Sequence, residues 1–196
     1  MKITDLRTVA VRVPVERPTA IATRQLAARE YILVWIDTDT GHTGIGYTYA
    51  GTVGGQAVYD LLKDALRPLL IGQDPQLIER HWAAMYQEVL LTGRRGAAMR
   101  AISAIDIALW DLLGKIADLP LYRLLGGWAD AVPAYASGGY YRPGDPLDNV
   151  REEMLHEPVK LVDGFVDLPT APGLGVELRP GFIEKYPFQP GIVEYA

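Results

Sequence analysis

Alternation opens the chain. Val9, Val11, Val13 and Val15 are separated by polar or small residues, the period of a half-buried strand. A polar stretch from Glu16 to Arg29, with Pro18 and several arginines, predicts a loop. Tyr31–Asp37 is aromatic and β-branched and predicts a strand, Asp39-Thr40-Gly41 supplies turn chemistry, and Thr43–Tyr49 returns as a partner. The first fifty residues therefore predict a three-stranded antiparallel meander. After Gly51, Gly54 and Gly55 the period lengthens. Val58, Leu61, Leu62, Ala65, Leu66 and Leu69 mark one helical face, and Ile78, Trp82, Met85, Tyr86 and Val89 mark a second, with Asp74-Pro75 as its start signal. A third helix is predicted from about Ala98 to Ala117. Its main face is Ile102, Ile105, Leu109, Leu112, Leu113 and Ile116, while Ile107, Ala108 and Trp110 make it apolar nearly all round. Asp111 and Lys115 stand one turn apart in the favourable order, and Leu119-Pro120 ends the helix.

Beyond Gly126-Gly127 the texture changes. Val132–Ala136 predicts a short strand, Pro146–Met154 a short helix, and Val159–Asp167 a hairpin around Asp163-Gly164. From Pro169 onward the chain is expected to be largely irregular. The fold class is α+β.

Length and charge narrow the function classes. The 196 residues would be consumed by a complete (β/α)₈ barrel of ~250. The net charge of −5 and the absence of any Lys/Arg-rich run argue against nucleic acid and anionic membranes. No apolar stretch reaches the ~20 residues that span a bilayer, and the start of the chain is strand-like, so a cytoplasmic location is expected. The absence of cysteine agrees with it.

Residues 101–126, A-I-S-A-I-D-I-A-L-W-D-L-L-G-K-I-A-D-L-P-L-Y-R-L-L-G, strongly resemble the signature helix of the mandelate racemase/muconate lactonizing branch of the enolase superfamily. Tyr31–Tyr49 resembles that family's cap hairpin, Val132–Gly139 its first barrel strand, and Asp163–Leu178 its C-terminal segment. The resemblance implies an α+β cap folded over a modified TIM barrel. It also implies proton removal alpha to a carboxylate, with barrel-strand lysine or histidine bases and three carboxylates holding Mg²⁺ to stabilise the enediolate. A small carboxylate substrate is implied, with an acid-sugar dehydratase or racemase as the parent activity.

The residues needed for that chemistry are not found at the family's spacing. Lys2, Lys63, Lys115, Lys160 and Lys185 include no Lys-x-Lys pair, and His42, His81 and His156 lie outside any His-Asp dyad context. Only about 25 residues, Val132 to Glu157, separate the first-strand match from the tail match, where the missing barrel units would occupy roughly 180. The expectation is an internally deleted family member, joined near Met154–Glu157, with no complete TIM barrel. It comprises an enolase-like cap at 1–130, a remnant of the first barrel unit at 131–157, and a C-terminal segment at 158–196 packing on the cap. No catalytic residue, metal ligand or cofactor is assigned to the chain itself; Mg²⁺ belongs to the parent family.

By position, the cap loop Thr19–Arg29 and the stretch Tyr47–Thr52 match the segments that close over the family's barrel mouth. In the parent context Arg24 would pair with an acidic substrate, and Tyr47 and Tyr49 would wall the pocket. The bland reading has Arg24 solvated and the tyrosines as alternating strand residues. Glu152-Glu153 and the Lys160/Asp163 pair are read as solvated or turn residues, Gly44-x-Gly46 and Gly173-x-Gly175 as turns or close backbone approaches, and Asp106 and Trp110 as packing residues. The alternative function is a non-catalytic cap module that self-associates as a homo-oligomer or assembles with an intact barrel subunit.

Overall fold

The computed structural model describes residues 1–21, 24–134 and 154–188, with side chains throughout except at 16–21 and 24–25. Three strands, β1 (Ile3–Ile21), β2 (Arg24–Thr38) and β3 (Thr43–Gly51), form an antiparallel sheet in the order β1-β2-β3. The expected meander is present, but the polar segment is not a loop. β1 and β2 continue pairing through it, to Thr19↔Leu26 and Ile21↔Arg24, after a register shift between Pro14 and Thr19. The ladder uses backbone groups, so two adjacent antiparallel arms resume pairing past the irregularity without apolar side chains to drive them.

Helices cover one face of the sheet. A continuous helical run comprises α1 (Gly55–Asp60), a π-helical turn (Leu61–Leu66) and α2 (Arg67–Leu70). Pro68, which has no N–H to give the preceding turn, accounts for the widened ladder just upstream of it. α3 (Ile78–Glu88) begins without a side-chain cap. Asp74-Pro75 instead makes a preceding turn, in which the Asp74 carboxylate accepts the Gln76 N–H at 3.0 Å. α4 (Ala97–Ile116) is the signature helix and lies across β3. A Cβ at Gly44 would strike the Ala108 carbonyl oxygen and one at Gly46 that of Ala104, so the two glycines are what admit the helix backbone. The main core fills this interface: Leu6, Ala10, Ile32, Val34 and Ile36 from the sheet meet Leu62, Leu66, Leu70, Met85, Ile102, Ile105 and Leu109.

The opposite face is covered too. Val11, Val13 and Leu33 pack with Met154, Phe182 and Tyr186 in a second, smaller core. The alternating valines that open the sequence thus face the C-terminal segment, while Leu6 and Ala10 carry β1's share of the main core. After α5 (Leu121–Leu124), β4 (Ala131–Pro133) pairs antiparallel with β5 (Phe165–Asp167). The Asp163-Gly164 turn forms as expected. Both residues take positive φ, and Val162 and Phe165 exchange backbone hydrogen bonds of 2.9 and 2.8 Å.

Residues 169–188 are irregular apart from α6 (Phe182–Lys185) and the isolated bridges Pro120↔Gly173, Leu155↔Leu178 and Val11↔Pro187. This stretch docks at the end of α4, where the Leu121 N–H donates to the Gly173 carbonyl at 2.7 Å, then passes β3 to reach the outer sheet face. The expected helix over Pro146–Met154 lies outside the described residues except at Met154, and the strand expected over Val132–Ala136 is described only as far as Ala134.

Candidate functional site

β3 is an edge strand, and its outward backbone groups are met by side chains of α4. Lys115 Nζ donates to the Thr43 carbonyl at 3.0 Å, the Ile45 N–H donates to Asp111 Oδ2 at 2.8 Å, and Arg100 donates to the Tyr49 carbonyl. A helix thereby blunts a strand edge that would otherwise template pairing with another chain.

Tyr47 and Tyr49 share the sheet face away from the helices and keep 46% and 39% of their surface exposed. The Tyr31 and Tyr49 rings sit tilted with centroids 5.5 Å apart, and the Arg100 guanidinium lies 5.7 Å from the Tyr49 ring centre. This edge sets the Tyr49 ring beside the Arg100 guanidinium, which is itself engaged by the Tyr49 carbonyl. It contains no nucleophile–base pair. Arg24 is elsewhere: the register puts its backbone at the tip of the β1–β2 arm, about 23 Å of extended chain from Tyr31. Its side chain falls outside those described.

Two buried carboxylates organise the surroundings. Glu30 is 3% exposed on β2. Its Oε2 accepts the Gly55 N–H at 2.7 Å, and Arg12 Nη1 lies 4.0 Å from Oε1. The start of α1, and with it the end of the Gly51–Gly54 loop, is pinned to the sheet. Asp111 is fully buried and holds three donors: Ile45 N–H, Leu174 N–H at 2.7 Å and Lys115 Nζ at 2.7 Å. Gly114 and Gly173 make room for this junction, since a Cβ on Gly114 would come within 2.7 Å of the Gly173 Cα. Asp111 therefore ties α4, β3 and the C-terminal segment at one point. Sequence reasoning saw it only as a helical ion pair and passed over Glu30 and Arg100. Glu30 carried a usable signal, a lone acid at the head of the apolar run Tyr31–Ile36.

The remaining polar groups serve structure. The His81 ring is buried, with Nε2 2.7 Å from the Asp74 carbonyl, and His42 Nδ1 lies 3.1 Å from Thr40 Oγ1. The hydrogen bond from Arg7, at 2.7 Å, holds the Asp37 carboxyl below the ordinary carboxylate range. Half-burial, aided by the charge of Glu79, pushes Asp106 up. A shallow cleft of about 410 Å³ lies between the sheet and the tail, walled by Trp35, Ile45, Leu178 and Phe182; the Lys115 ammonium at its side is already engaged by Asp111. Among the described residues no three His, Cys, Asp or Glu side chains converge, and both buried carboxylates are filled by protein donors. These residues do not fit a Mg²⁺ site. No helix among them is long and apolar enough to cross a membrane.

A three-stranded antiparallel sheet backed by a helical layer, with an all-round apolar helix laid over glycines of the third strand, defines an enolase-type cap. Residues 3–126 match the family described as mandelate racemase / muconate lactonizing enzyme, N-terminal domain, and the chain belongs to that family. It is 41% identical over 136 residues to the arabinonate dehydratase of Saccharolobus solfataricus, covering 68% of this chain and 36% of that enzyme. To the D-galactarolactone cycloisomerase of Agrobacterium fabrum it is 35% identical over 178 residues, covering 90% of this chain and 46% of the other. Among solved structures, a racemase from Streptomyces coelicolor A3(2) with bound magnesium superposes with a TM-score of 0.66 at 41% identity, covering 68% of this chain and 38% of that one. L-talarate/galactarate dehydratase from Salmonella typhimurium, liganded with Mg and L-lyxarohydroxamate, gives 0.64 at 33% identity, over 68% and 36%. The chain thus spans between about a third and a half of the length of these relatives.

Proposed function

We propose that this chain is an internally deleted member of the family, derived from an enzyme that removes the proton alpha to a carboxylate in an acid sugar, and that it is inactive alone. The observation that carries this reading is the β4–β5 pairing. It sets Pro133 beside Phe165, so the stretch that resembles the first barrel strand meets the C-terminal segment in space, and that segment also packs on the cap's sheet. A chain joined there keeps both cores. The relatives' activities, a dehydratase acting on arabinonate and a cycloisomerase acting on galactarolactone, supply the substrate class: polyhydroxylated carboxylates and their lactones. In the parent, Tyr47 and Tyr49 wall the substrate pocket, and Arg24 reaches an acidic end of the substrate from the β1–β2 tip. Mg²⁺, with which related structures are recorded, would supply Lewis-acid stabilisation of negative charge on a carboxylate substrate in the parent, and the residues described in this chain do not fit it. The organisation we propose is a cap at 1–130, a barrel remnant at 131–157 and a C-terminal segment at 158–196.

Reading the transcript across codons 150–160 tests the deletion. Codons for Met154 to Glu157 in direct succession are expected; an intervening coding stretch of barrel length would refute it.

A further inference from the structure

Asp163 and Gly164 make the two-residue turn between Val162 and Phe165, and both are exposed. Of the aspartates in the sequence only Asp163 precedes a glycine. Its carboxylate meets no donor or cation among the described residues. The space beside Gly164 is open, since a Cβ built there meets nothing within 4 Å. Asp163 also holds φ +48, a left-handed conformation that costs a residue with a Cβ. Little secures this turn. One bridge closes it, and the Ala134 N–H ties the Gly164 carbonyl to the end of β4 at 2.8 Å. β4 and β5 are three residues each, and none of residues 131–134 or 162–167 belongs to either core. Such a ribbon is marginal in water and opens locally far more readily than the sheet.

We infer that Asp163 is a modification site, at which the backbone rearranges spontaneously to isoaspartate with water as the only co-reactant. When the turn opens, Asp163 rotates out of the left-handed region and the Gly164 amide nitrogen attacks its carboxyl carbon, Cγ. Glycine obstructs that approach least. The N–Cγ bond forms and a Cγ–O bond breaks. The departing oxygen takes the amide proton and the carboxyl proton and leaves as water, and a five-membered succinimide remains. Water then adds to one of the two ring carbonyls. One opening restores aspartate, and the other sends the main chain through Cγ. One water leaves and one enters, and nothing is oxidised or reduced. The isoaspartyl link adds a methylene to the main chain and lifts the left-handed requirement at 163, so reclosure of the original turn is disfavoured. The paired hydrogen bonds of 2.9 and 2.8 Å between Val162 and Phe165 then lose their register. The ribbon loosens while both cores stay intact. The inference is independent of the chemistry proposed for the lineage.

Ageing the folded full chain for weeks at neutral pH and physiological temperature is the test. Cleavage after lysine then releases residues 161–185 as one peptide. A second form of this peptide is expected, unchanged in mass and resistant to an endoproteinase that cuts before aspartate at 163. It should accept methyl groups from S-adenosylmethionine through protein-isoaspartate methyltransferase. It should also accumulate severalfold faster than any isomer at Asp118, which shares the left-handed backbone at φ +52 but precedes Leu119. Gly164→Ala is expected to slow the conversion severalfold. Asp163→Asn is expected to speed it, with ammonia leaving in place of the first water. Both positions lie outside the cores, so the thermal midpoint should stay that of the parent chain. In the aged chain hydrogen exchange should rise at the Phe165 amide and hold at Leu33. No isomer at 163 in the folded chain, whether or not a urea-unfolded sample forms one, would overturn the inference. So would equal accumulation at Asp118, a rate indifferent to Gly164→Ala, or unchanged exchange at Phe165 once the isomer is present.

Discussion

Asp111 carries the densest set of obligations of any side chain described. Its two oxygens hold a strand-edge amide, a tail amide and an ammonium, and none of these has water in easy reach of the carboxylate. Asp111→Ala strands the Ile45 and Leu174 N–H groups and leaves Lys115 without its counterion. Chemical denaturation should report a loss of about 3–5 kcal/mol. Asp111→Asn keeps an acceptor and should lose less, while both variants should raise hydrogen exchange at the Leu174 amide. Asp106 makes the opposite case. Burial and Glu79 raise its carboxyl pKa in the folded state, so folding disfavours the charged form and the cost is fully present above that raised value. As pH falls through it toward the ordinary aspartate value the cost disappears. Asp106→Asn should therefore raise the Tm at neutral pH, and the gain should vanish in acid, below the pKa of unfolded aspartate.

At the scale of elements, the contact between α4 and β3 rests on absent side chains. Gly46→Ala drives a methyl into the Ala104 carbonyl, and the helix must lift from the strand. The expected cost is about 1–3 kcal/mol, with the amide signals of Ala104–Ala108 displaced. Much of this level was legible. The three strands, three main helices and the Asp163-Gly164 turn follow from periodicity and turn chemistry, because each signal is local; the expected hairpin over Val159–Asp167 closes in one bridge only, since Phe165–Asp167 pairs with Ala131–Pro133. The polar arm Glu16–Arg29 misled, since its pairing is made by backbone groups beyond a register shift and leaves no trace in side-chain pattern. The π-helical turn was missed because the apolar stripe runs through it unchanged and only Pro68 marks it. For the site, Tyr47 and Tyr49 were readable as outward strand residues. Arg100, Glu30 and the full role of Asp111 depend on partners between 25 and 66 positions away, which no window along the chain can see.

The whole molecule is a sheet covered twice, by helices on one side and by its own C-terminal segment on the other. Ile32, Leu33 and Val34 are all buried for that reason, the consecutive apolar run of a strand with no wet face. A chain ended before Met154 should expose Val11, Val13 and Leu33. It should bind an apolar-sensitive dye that the full chain does not, and aggregate on concentration. We propose that this polypeptide carries the cap of an acid-sugar enzyme without the machinery for alpha-proton removal. Proton NMR in D₂O, with Mg²⁺ and either arabinonate or galactarate present and the purified chain added, tests it most directly. The substrate's alpha-proton signal should hold its intensity whether or not a chelator removes the metal. Loss of that signal dependent on both chain and Mg²⁺ would contradict the account.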